Sequence, residues 1–155
     1  MITQVYPLQC IATKSVITGE HNGIFVPIYK DLEQDIGIIR MVYSTSCLPG
    51  QVKGPHLHKK RKGHLTVLRG NVVFVIEQVV DNKKIYEEVF ISDMSPKLVV
   101  VPPNTVNAHV NIGKEEAIVL NLCTEHCWAA NDTDNYSFNN FDGYDVYQWA
   151  REQLK

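Results

Sequence analysis

The sequence predicts an all-β protein, an antiparallel sandwich or barrel, closed by one short C-terminal helix. Short apolar segments recur along the chain, several alternating polar with apolar residues, the period of a half-buried strand. Turn-forming groups separate them: Pro49-Gly50, Gly70-Asn71, Asp81-Asn82, Pro102-Pro103-Asn104 and Gly113-Lys114. Only the end of the chain, Asp145–Lys155, reads as an amphipathic helix, with Val146, Trp149 and Ala150 on one face.

In order, residues 1–14 form a short strand or an arm. Ile24–Tyr29 is an edge strand, because Pro27 has no N–H for a sheet ladder. Lys30–Asp35 is a polar connection. Ile36–Ser46 alternates, with Ile38, Arg40, Val42 and Ser44 on one face and Ile39, Met41, Tyr43 and Thr45 on the other; Arg40 is expected to point inward with Val42. The histidine-bearing strand follows, then Leu65–Leu68. Val72–Val80 and Ile85–Ile91 form a hairpin around Asp81–Lys84. Leu98–Val101, Asn107–Ile112 and Ala117–Cys123 are further strands. The polar stretch from Glu125 to Tyr144 reads as a long loop, the kind that often carries function.

A chain of 155 residues, 45% hydrophobic and 21% charged, fits one globular domain spanning residues 1–155. Its net charge of −2 argues against nucleic acid as a partner. It has no apolar run long enough to span a membrane, and Met1–Lys14 lacks the charged start and apolar core of an export signal, so the cytoplasm is expected. The four cysteines, Cys10, Cys47, Cys123 and Cys127, then read as free thiols. Cys123, His126 and Cys127 do not have a zinc-knuckle spacing.

The densest chemistry lies between Gly50 and Gly70. His56, Leu57 and His58 form a His-x-His pair; in an extended strand the two imidazoles share a face and Leu57 takes the other. Two imidazoles on one wall can bind a metal or move protons near neutral pH. The same stretch holds His64 and the basic run Lys59–Lys62, which suits a phosphate-bearing small molecule or simply a solvated loop.

Gly50, His56, His58 and Gly70 resemble the first motif of the cupin superfamily, and Pro102 and Asn111 its second. The resemblance implies a jelly roll, or double-stranded β-helix. The acidic position of the first motif falls at Gly63, and Asn107 stands where the second motif has histidine, so neither a metal nor another cofactor is expected. Within the cupins the chain is similar to the dTDP-4-dehydrorhamnose 3,5-epimerases and the sugar-nucleotide 3,4-ketoisomerases. Lys53-Gly54-Pro55-His56 stands where the former carry Arg-Gly-x-His. Arg40, Tyr43, His56, His58 and Lys59 match the pattern of the latter. Tyr43–Ser46, Pro102–Asn104 and Leu120–Glu125 match smaller relatives.

This resemblance implies an epimerase or isomerase of nucleotide-linked 4-keto-6-deoxy sugars, active in deoxysugar and polysaccharide biosynthesis. A base removes a proton beside the carbonyl, an enolate forms, and a proton returns. His56 is the expected base, His58 a shuttle or enolate partner, and His64 stands at the place of a lysine that supports the enolate oxygen. Arg40, Tyr43, Lys53, Lys59, Asn107, His109 and Asn121 are the expected substrate contacts. Asn121 replaces the epimerases' acidic tyrosine, and Tyr43 is a substitute acid if it faces the cavity. A homodimer is implied as the family's assembly. Two rival readings use the same residues: a non-catalytic sugar- or nucleotide-binding cupin, and a metal-dependent one using His56, His58 and His64 or His109.

Overall fold

The computed structural model describes residues 3–29, 37–126 and 133–155. The strands begin with β1 (Gln4–Pro7), β2 (Ile11–Lys14), β3 (His21–Phe25) and β4 (Met41–Cys47). Next come β5 (Val52–His58), β6 (Gly63–Arg69), β7 (Asn71–Val80) and β8 (Lys83–Ser92). After these lie β9 (Lys97–Val101), β10 (Asn107–Asn111), β11 (Ala117–Cys123), β12 (Asn135–Ser137) and the helix α1 (Val146–Gln153). One sheet has the order β1-β9-β6-β11-β4, the other β12-β5-β10-β7-β8, all pairs antiparallel. From β4 onward the chain repeatedly crosses from one sheet to the other, which is the winding of a jelly roll. The all-β cupin jelly roll with a C-terminal helix is thus the observed fold.

The two inner faces meet in a core of Val67, Val72, Phe74, Ile76, Val89, Ile91, Val99, Val101, Ala117 and Val119. A second core lies on the far side of the β5-β10-β7 sheet, where Val73, Val75, Ala108 and Val110 are covered by Phe141, Val146 and Ala150. Both faces of β7 are therefore buried, which is why it reads as an unbroken apolar run. Full burial of a side chain such as Phe74 contributes about 2–3 kcal/mol. The helix presents the expected face, Val146 and Ala150 buried and Trp149 packed beside them. Its N-cap is Asp145, whose carboxylate accepts the N–H groups of Tyr147 and Gln148 at 3.1 and 3.0 Å.

Several expectations shift. The strand placed at Ile24–Tyr29 runs instead over His21–Phe25 and pairs with β2 as a separate two-stranded hairpin. It stops before Pro27, which cannot donate to a ladder. The β7–β8 turn contains only Asp81 and Asn82, with φ of 49° and 59°, the paired left-handed geometry that matches strand twist. Within the polar stretch after Glu125, Asn135–Ser137 adds β12 to the edge of β5. Lys30–Asp35 and Cys127 lie outside the described residues. Cys47 is a buried free thiol and Cys10 an exposed one, and Cys123 is buried. No helix among the described residues is long and apolar enough to cross a membrane.

Candidate active site

At one end of the sandwich the apolar core opens into a cavity of about 120 Å3. Its walls come from both sheets. From one side β5 contributes Lys53, His56 and His58, and β10 contributes Asn107 and His109; from the other, β4 contributes Tyr43 and Thr45, and β11 contributes Val119 and Asn121. Strand alternation accounts for most of this set. Lys53 is the exception, being an odd number of residues from His56. A register shift between Asn107 and His109 lets Lys53 face the same space. At this crossing Gly54 has φ 103°, and a Cβ there would lie 2.8 Å from the Asn107 carbonyl oxygen and 3.0 Å from His56 Nδ1. Glycine is what allows the strands to approach so closely beside the first histidine.

The rings of His56 and His58 are 5.2 Å apart, so the pair shares the cavity as its spacing predicts. Opposite, Asn121 and Tyr43 are register partners. The Asn121 Oδ1 accepts the His64 backbone N–H at 3.0 Å, which fixes the amide so that Nδ2 donates to the Tyr43 hydroxyl at 2.8 Å. Asn107 Nδ2 donates to the carbonyls of His56 and Thr105, at 3.3 and 3.2 Å. His109 packs against Phe74, ring centroids 5.4 Å apart. Burial pushes its pKa down to about 3, and the nearby His56 and Lys53 add to this. His109 is therefore a neutral imidazole at any working pH.

Three expected residues lie outside the cavity. Arg40 is exposed just before β4; the Tyr43–Asn121 and Thr45–Val119 registers turn the odd-numbered face of β4 inward and send Val42 and Arg40 to solvent. The inward assignment of Arg40 is corrected accordingly. Lys59 is exposed too, its ammonium 4.5 Å from the centre of the Tyr136 ring. His64 is fully buried but on the opposite face of β6 from Gly63 and Leu65, which line the cavity. Its Nδ1 donates to the Leu122 carbonyl at 2.7 Å. Burial pushes its pKa down; that bond opposes the shift and Lys62 reinforces it. From there His64 cannot support an oxygen in the cavity.

Two residues that the motifs did not single out complete the site. Arg61 lines the cavity at 4% exposure, with Nη2 2.7 Å from Nδ1 and 3.0 Å from Nε2 of His58. Asp134 binds the loop that carries it and also accepts from His58 Nδ1, through its backbone carbonyl, at 3.0 Å. Burial raises the Asp134 carboxyl pKa, but hydrogen bonds from the Arg61, Lys60 and Lys59 N–H groups outweigh it and hold the group below its usual value. No local pattern announces either role, because the partner lies more than seventy residues away.

The donor set does not fit the cupin metal. Among the described residues no three His, Cys, Asp or Glu side chains cluster as a metal site would need. Asn107, the register partner of His56, has its amide nitrogen engaged by backbone carbonyls. Asn111, the other residue of the second motif, is structural: its Nδ2 donates to the Cys47 and Glu115 carbonyls, each at 2.7 Å, tying the two sheets together.

Comparison with solved structures returns the same architecture. A dTDP sugar isomerase from Desulfovibrio desulfuricans is 15% identical, with 88% of this chain and 83% of that one aligned at a TM-score of 0.74. QdtA, a sugar 3,4-ketoisomerase from Thermoanaerobacterium thermosaccharolyticum solved with TDP, is 19% identical over 99% of this chain and 97% of its own, TM-score 0.64. A mutant of the same protein was solved with TDP-4-keto-6-deoxyglucose. The capsular polysaccharide assembling protein CapF of Staphylococcus aureus is 21% identical over 63% of this chain and 26% of its own, TM-score 0.55. No curated protein sequence matches the chain significantly. A family model does: the polysaccharide biosynthesis C-terminal domain matches residues 18–136, which include every cavity-lining residue named above and Asp134. By that match, on a jelly roll with this cavity, the chain belongs to the polysaccharide biosynthesis C-terminal domain family.

Proposed function

We propose that the chain is an epimerase or ketoisomerase of a nucleotide-linked 4-keto-6-deoxy sugar, acting by proton transfer beside the carbonyl. The observation that carries this is the division of labour across the cavity. Two histidines project from one sheet, and a tyrosine clamped by an asparagine faces them from the other. A base on one wall and an acid on the other suit removal of a proton from one face of a carbon and its return elsewhere.

His56 is the base and His58 its neighbour in the proton path. Tyr43 is the acid, in the place that Asn121 leaves without one. The Asn121 amide, donating to the phenol oxygen, stabilises that oxygen once its proton has gone. His109, neutral throughout, serves as a hydrogen-bonding wall and not as an acid. Lys53, exposed at the cavity, meets the diphosphate as a point charge. At about 120 Å3 the cavity is too small to enclose a nucleotide sugar, which leaves the nucleotide outside it. The neighbours' sugar-nucleotide ligands and the polysaccharide family support the same substrate class.

Proton NMR of thymidine diphosphate 4-keto-6-deoxyglucose in D2O tests this. Protein-dependent loss of the signal at C3 or C5 is expected; loss at C5 marks an epimerase, and conversion of C3 into the carbonyl carbon marks a ketoisomerase. His56→Ala should slow that loss at least about 100-fold. An unchanged rate in the variant would remove His56 as base, and binding without exchange would favour a non-catalytic cupin. A homodimer belongs to the same reading. It is supported by the β2–β3 hairpin, a separate two-stranded sheet that leaves Val16, Ile17, Ile24 and Phe25 exposed. Sedimentation should give twice the chain mass; a monomer at micromolar concentration would refute it.

A further inference from the structure

Two members of the basic run, Lys59 and Lys60, are exposed, as a solvated loop would have them. Arg61 is turned the other way, into the cavity wall against His58. The Asp134 carboxylate accounts for the turn. It accepts the backbone N–H of Lys59 at 3.0 Å, of Lys60 at 3.1 and 3.2 Å, and of Arg61 at 3.0 Å. Successive amides converging on one anion fix the curl of a loop. The Asp134 carbonyl accepts from the His58 ring as well, so one residue holds both the loop bearing Arg61 and the imidazole that Arg61 meets.

We propose that Arg61 binds the oxyanion formed in the reaction and that Asp134 is the residue that positions it. This assignment rests on the sugar-nucleotide reading. When the base takes the proton next to the carbonyl, the C–H electron pair moves into a new C–C double bond and the carbonyl oxygen takes the negative charge. A guanidinium already fixed in a water-poor wall stabilises that oxygen more than it does the neutral carbonyl, and so lowers the barrier. A phosphate role fits less well. Arg61 is 4% exposed in a cavity of about 120 Å3, whereas Lys53 is the exposed cation.

Wild type, Arg61→Gln, Arg61→Lys, Asp134→Asn and the Asp134→Asn/Arg61→Gln double variant are compared in two assays. One reads deuterium uptake from D2O by saturating thymidine diphosphate 4-keto-6-deoxyglucose; the other reads affinity for dTDP by calorimetry. Arg61→Gln should slow uptake about 100-fold and Arg61→Lys by less, since charge is kept and the fork lost. Asp134→Asn should slow it about 10-fold, and the double variant should be no slower than Arg61→Gln alone, because one residue acts through the other. Affinity for dTDP should change less than about twofold. If Arg61→Gln does not fold, Arg61→Lys beside Asp134→Asn carries the comparison. Uptake as fast in both arginine variants as in wild type overturns the assignment. So does a double variant slowed by the product of the single effects, or a tenfold loss of dTDP affinity with uptake intact. Wild type that neither binds dTDP nor exchanges overturns the sugar-nucleotide reading itself, and the assignment falls with it.

Discussion

Acid should weaken this protein through His109, and the size of the effect follows from its surroundings. The side chain is 6% exposed, and its pKa in the folded chain is about 3, against 6.5 for an unperturbed histidine. Above 6.5 the ring is neutral whether the chain is folded or not, and it has no pH-linked effect. Below 6.5 the unfolded chain binds a proton that the folded one refuses, so stability is lost as pH falls from 6.5 towards 3. From about pH 7.5 to about pH 5.5 this one group costs roughly 1.4 kcal/mol, from the linkage relation with an unfolded pKa near 6.5. His64, also shifted downward by burial, acts in the same direction. Urea denaturation of wild type and His109→Gln at both pH values measures the effect. The variant's stability relative to wild type should rise by about 1.4 kcal/mol on acidification, whatever its level at neutral pH. Parallel losses in the two proteins would mean that His109 is not held neutral, and the case against it as the acid would fail.

Tyr43→Phe should slow deuterium uptake by about 100-fold or more with little change in dTDP affinity, because it removes the proposed acid and the acceptor for Asn121 Nδ2. Uptake within a few fold of wild type would place the acid elsewhere. Gly54→Ala should destabilise the fold by about 2–3 kcal/mol, as the added carbon meets the Asn107 carbonyl at a left-handed φ. An unchanged thermal midpoint would show that the β5–β10 crossing relaxes freely.

What the sequence made legible was whatever one strand carries by itself. Alternation and turn residues locate β4 through β11, and the His-x-His spacing correctly places two imidazoles on one wall. Which face of a strand turns inward is harder to read. In β4, Val42 is as apolar as Met41, and the choice is made by register with β11, where Tyr43 meets Asn121. His64 follows the same logic: one position along β6 separates the cavity from the opposite face. β12 has no apolar signature, because a strand that only completes an edge needs its backbone and not its side chains. Arg61 and Asp134 were least legible, since the loop conformation that joins them is set by a carboxylate far along the chain.

The five residues of β10 carry Asn107 and His109 on their cavity side and Ala108 and Val110 on the side covered by α1. The helix also reaches around to β5, where the Tyr147 hydroxyl donates to the Gly54 carbonyl at 2.9 Å, two residues from His56. The C-terminal segment is thus a buttress behind the wall that holds His56 and His58. Substitutions in Val146, Tyr147 or Ala150 give an experimenter a rear handle on the cavity. They can tilt the histidine wall while leaving each of its side chains in place, which substitution within the cavity itself cannot do.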